Sequence, residues 1–104
     1  MDIIYPEQAE PIPYAMDARC MYAGKSAELI RLVIPPGCEQ ELHDNPVDVL
    51  FVILQGEGIL LFEHESFSVT LNGCLEVRSG RKRAWKNSGN QDLVLLVYRM
   101  LLDA

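Results

Sequence analysis

The chain carries few side chains that could do chemistry. Two imidazoles, His43 and His64, and three thiols, Cys20, Cys38 and Cys74, are the candidates for a base, a nucleophile or a metal ligand. His43 is followed by Asp44 and, five residues on, by Asp48. In an extended segment both carboxylates take the opposite parity to His43 and point away from it. Cys38 also has the wrong parity, so neither a His–Asp dyad nor a Cys–His pair can be read here. His64 lies in Glu63-His64-Glu65-Ser66, expected at the tip of a hairpin. An odd number of widely spaced cysteines is neither a disulfide framework nor a CxxC metal or redox pair. Reduced thiols of this kind are expected to pack as small hydrophobes in a cytoplasmic protein.

The elements that position these groups are short. The chain has 104 residues, 49% apolar and 23% charged, which is one domain with room for a core and no need of disulfides or metal. Prolines and glycines recur between short apolar runs, the pattern of a sandwich or barrel rather than of helices. Strands are expected at 19–22, 27–34, 47–54, 58–63, 67–71, 75–77, 84–86 and 93–102. In the run 67–71 the alternation turns Phe67, Val69 and Leu71 to the core. The strands 47–54 and 93–102 are apolar on both faces, the second broken only by Arg99. Their second face needs a cover, from the N-terminal segment or from a partner chain, and a homodimer is expected. No apolar run reaches the ~20 residues that span a bilayer as a helix, and the start of the chain lacks a signal-peptide pattern.

Nine Lys/Arg against fifteen Asp/Glu give a net charge of −6. That balance argues against nucleic acid and against an anionic membrane as partners. The charge is uneven. Arg78, Arg81, Lys82, Arg83 and Lys86 are five of the nine bases, whereas residues 1–50 hold nine acids and three bases. The basic run could steer an anion, meet a partner's acidic surface, or be a solvated loop.

The segment from Pro36 to Gly58 resembles the first signature of the cupin superfamily, G-x5-H-x-H-x3,4-E-x6-G. Gly37, His43 and Gly56 occupy its first glycine, first histidine and closing glycine. Downstream, the stretch from Gly73 to Asn87 is similar to the second signature, with Gly80 at its inner glycine, Arg83 at its histidine and Gly73 one residue too close. The resemblance covers about residues 18 to 102. It implies an all-β fold, a double-stranded β-helix or jelly-roll barrel, as a single domain over 1–104 with an N-terminal arm over 1–17. Metal cupins hold a divalent ion with two histidines, a glutamate and a third histidine. Here those positions carry His43, Asn45, Val49 and Arg83. An amide is a poor ligand, valine has no lone pair, and arginine repels a cation, so no metal and no cofactor are expected.

The same resemblance turns positions 43, 45, 47, 49, 51 and 53 inward, together with Arg83 and Trp85. The expected ligand-binding set is His43, Asn45, Arg83, Trp85, Val49 and Phe51, polar groups over an apolar wall that includes Val47. A buried arginine needs an anionic partner, and none of those positions supplies a carboxylate. Arg83 is therefore expected to receive the carboxylate or phosphate of a small anionic metabolite, oriented by His43 and Asn45, unless it reaches the barrel mouth and meets water or Glu76. The function expected is a metal-independent binding module or sensor. Two alternatives stay open: an enzyme (lyase, isomerase or oxygenase-like) using His43 as base or a non-standard metal site, and an interaction protein with a vestigial pocket.

Overall fold

The computed structural model describes residues 1–101. After a single 3-10 turn, Pro6–Gln8, nine strands follow: β1 Glu10–Pro11, β2 Asp17–Ala23, β3 Ala27–Ile34, β4 Asp48–Gln55, β5 Gly58–Phe62, β6 Ser66–Val69, β7 Cys74–Val77, β8 Arg83–Lys86 and β9 Leu93–Met100. They form two sheets. One has six strands in the order β1-β2-β3-β9-β4-β7, and the other has three in the order β6-β5-β8. Every pairing is antiparallel. From β4 onward the chain crosses between the sheets at β4–β5, β6–β7, β7–β8 and β8–β9, which is the all-β, double-stranded arrangement expected.

Period-two burial separates the faces. On β4 the odd residues Val49, Phe51 and Ile53 are buried, and on β9 so are Leu93, Leu95 and Val97. With Leu32, Ile34, Leu60, Val77 and Trp85 they fill the space between the sheets. Each aliphatic side chain fully removed from water there contributes about 1.5–3 kcal/mol before entropy is counted. Between β4 and β5 the chain turns at Gly56, whose φ is 78°. A Cβ at Gly56 would sit 2.7 Å from the Asp92 carbonyl oxygen, so only glycine fits that turn.

Several expectations are corrected. Phe67 and Leu71 are exposed, at 49% and 55%, and only Val69 of that run packs on the core. β6 is the edge of the small sheet and ends at Val69, before the turn through Asn72, so its inner face is left partly uncovered. Cys38 and Cys74 are exposed rather than core residues, one just beyond the Gly37 turn and the other on the outer face of edge strand β7. The last strand reaches Met100, and Leu102, expected to close it, lies outside the described residues. The N-terminal arm adds β1 to the edge of β2, and its Ile12 and Met16 pack on the interior cluster. It does not cover the outer face of β4 and β9. There Leu50, Val52 and Leu96 remain part-exposed and Tyr98 is 40% exposed.

Candidate functional site

The site begins where β8 finds a second partner. The segment Cys38–His43 runs beside β8: the Asn87 N–H donates to the Cys38 carbonyl (3.0 Å) and the Gln40 N–H to the Trp85 carbonyl (2.9 Å). Further along, His43 and Arg83 exchange both backbone hydrogen bonds, at 3.0 and 2.8 Å. A pair of this kind puts both side chains on one face. Between Gln40 and His43 the segment carries one residue more than β8, a bulge. The Trp85 N–H, displaced from a backbone partner, donates instead to the Gln40 side-chain Oε1 at 3.0 Å. The Gln40 Nε2 donates to the Tyr14 hydroxyl, also at 3.0 Å, which ties the N-terminal arm to the barrel.

These elements line a solvent-open cavity of about 280 Å³, with His43, Asn45, Arg83, Arg99, Gln40 and Tyr14 on its polar side. Its apolar side is built from Ile12, Ile30, Leu32, Phe51 and Val97. Four of the expected set, His43, Asn45, Phe51 and Arg83, are thus brought together. Val49 and Trp85 do not reach the lining. Both are 0% exposed in the core, where Trp85 meets the Phe51 ring edge-to-face at 5.5 Å between centroids. The Trp85 indole N–H is buried without a hydrogen-bond partner. Both side chains face inward as parity placed them, but they are packed into the core and do not line the cavity.

Arg83 is 3% exposed, and among the described residues its guanidinium has neither a hydrogen-bond nor an ion-pair partner. Its nearest support is the face of Phe51, 5.6 Å from guanidinium carbon to ring centroid. Burial holds Arg83 below the ordinary arginine pKa, Asp44 pulls it back up, and Arg99 pushes it down again. The Asp44 charge therefore acts on Arg83, although parity alone had turned Asp44 away from the site. Glu76, the surface acid considered for Arg83, pairs with Arg78 instead, and Arg81 pairs with Glu65 while stacking on Phe62. Of the basic run, only Arg83 enters the cavity.

Arg99 was not anticipated as a site residue. It projects inward from β9, donates to the Glu28 carboxylate across the β3–β9 register, and donates to the Asn45 Oδ1 at 3.2 Å. The Asn45 Oδ1 also accepts the Val47 N–H at 3.3 Å, so the Asn45 amide turns its NH₂ end free. The signal for Arg99 was its parity, shared with Leu93, Leu95 and Val97 on the buried face. No sequence signal marked Tyr14 or Gln40.

The His43 Nδ1 lies 2.8 Å from the Glu41 carbonyl, which can only accept. Nδ1 therefore carries the proton in the neutral ring, and Nε2 keeps its lone pair. Among the described residues no carboxylate orients the ring: Asp48 accepts the Ser79 N–H. The donor set does not fit a divalent metal. Asn45 has its oxygen committed to two N–H groups, Val49 is hydrocarbon, and Arg83 places a cation beside His43. Among the described residues no three His, Cys, Asp or Glu side chains gather closely enough to hold one.

No protein-family model matches the chain, and no curated protein matches it in sequence. Solved structures do match. The crystal structure of a predicted oxalate decarboxylase from Thermotoga maritima superposes with a TM-score of 0.83 at 20% identity, covering 97% of this chain and 100% of that one. The polyketide cyclase RemF from Streptomyces resistomycificus gives 0.84 at 11% identity, over 98% of this chain and 80% of that one. A cupin superfamily protein from Desulfitobacterium hafniense gives 0.77 at 14% identity, over 93% and 87%. The fold is that of a small cupin.

Proposed function

We propose that this chain, with the fold of a small cupin, binds a small anion in its barrel without a family-type metal, as a sensor or accessory binding module. The observation that carries the reading is Arg83: a 3% exposed guanidinium, unpartnered among the described residues, on the wall of a cavity. The guanidinium opens onto the cavity, and an anion there would supply the charged partner that the protein does not. Asn45 supports the reading: it lines the same space, and with its oxygen committed to Val47 and Arg99 its amide nitrogen has no partner among the described residues. The test is a thermal-shift panel of carboxylates and phosphates on the wild-type protein and on Arg83→Met. Anion-induced stabilisation present in the first and absent in the second supports the reading; no shift from any anion sinks it and favours a vestigial pocket.

A second copy of the chain covers the outer face of the large sheet. Along that face Leu29, Tyr98 and Leu50 form one cross-strand row that ends at Glu76, and Leu96 and Val52 form the next, which begins at Arg31. A two-fold axis parallel to the strands lays β3 of one copy over β7 of the other.

The enzyme reading rests on one observation, the His43 Nε2 lone pair on the cavity wall, which could take a proton from a bound substrate. Turnover of any bound anion that disappears in His43→Ala, with binding retained, would favour it over a binding module.

A further inference from the structure

The charges around the cavity narrow the class of ligand. Two guanidiniums reach the lining, but they are not equivalent. Arg99 is neutralised by Glu28 and further held by Asn45. Arg83 is the charge left over, with only the Phe51 ring and the distant, exposed Asp44 to offset it. A ligand that restores neutrality there carries one negative charge. A phosphate monoester carries roughly −1.5 to −2 at neutral pH and would bring more negative charge than Arg83 offsets. A carboxylate carries one, and its two oxygens match the planar donor fork of arginine.

The rest of the wall has a different chemistry. Ile30, Leu32 and Val97 come from the large sheet, and Ile12 from the arm. These surfaces offer a ligand dispersion and burial but no polar contact. The volume of about 280 Å³ suits a small organic body, and the cavity opens to solvent along Tyr14, Gln40 and His43. We infer that the ligand is an amphiphilic monocarboxylate, its carboxylate on Arg83 and the Asn45 amide and its short aliphatic or aromatic body against Ile30, Leu32, Val97 and Ile12. The inference rests on the reading of Arg83 as an anion receptor.

Isothermal titration of the full chain with hexanoate and 3-phenylpropanoate, against acetate, succinate and inorganic phosphate, tests it. Hexanoate and 3-phenylpropanoate should bind once per chain, at least about tenfold tighter than acetate because of the buried body, and tighter than succinate or phosphate. Arg83→Met should abolish that binding. In Glu28→Gln, which frees Arg99, the preference should move toward succinate. Succinate or phosphate binding as tightly as hexanoate in the wild type, and lost in Arg83→Met, would overturn the monocarboxylate assignment while leaving the anion reading standing. Hexanoate binding that survives Arg83→Met would overturn the placement of the carboxylate. No binding of any of the five would overturn both readings.

Discussion

Arg83 decides the account at the scale of single residues. Its type and spacing were legible, because it stands where a cupin-like signature would carry a histidine. Its isolation was not legible, since that depends on where Glu28, Glu65 and Glu76 go, and each pairs with another arginine. An apolar side chain of similar length relieves the buried charge. Arg83→Met should therefore unfold in urea at the same or a slightly higher concentration than the wild type, within about 1 kcal/mol of it. A clear loss of stability would mean that Arg83 has a structural partner. Glu28→Gln leaves Arg99 without its carboxylate. The pair is partly solvent-screened, with side chains 24% and 29% exposed, so the loss should be modest, about 1 kcal/mol by the same urea titration. Arg99 itself escaped notice because an almost wholly apolar strand hid the meaning of its single exception.

At the scale of elements, the strands were legible wherever both faces meet something. β3 was expected at its observed limits, and β4 and β9 within two residues among the described positions. β6 was misjudged because alternation reports a buried face only where another layer lies opposite, and opposite Phe67 and Leu71 the cover is incomplete. Segment 38–43 gave no strand signal, since a bulge breaks its period and Gln40 substitutes a side-chain oxygen for a backbone one. Gln40→Ala would leave the Trp85 N–H unpaired and release Tyr14. Chemical denaturation should show a loss of about 1–3 kcal/mol, and proteolysis should cut the N-terminal arm sooner. Gly56→Ala forces a Cβ against the Asp92 backbone and a left-handed φ on an L-residue. It should lose at least about 2 kcal/mol in the same assay, and an unchanged midpoint would show that the turn can rearrange.

The whole molecule is acidic outside and cationic at one interior point. The −6 net charge disfavours a general attraction for anions, so selectivity must come from the cavity rather than from the surface field. The apolar outer face of the large sheet sets the expected assembly. Sedimentation equilibrium should give a dimer for the wild type and a folded monomer for Leu96→Glu, and a monomeric wild type would remove the need for a second copy. These two aspects of the molecule are independent, since the cavity and the outer face lie on opposite sides of one sheet. The most direct measurement of the central claim is calorimetric titration of hexanoate into the wild type and into Arg83→Met. One site per chain in the wild type and none in a variant of equal or greater stability is the predicted result. Equal binding by both proteins, or binding by neither, would contradict it.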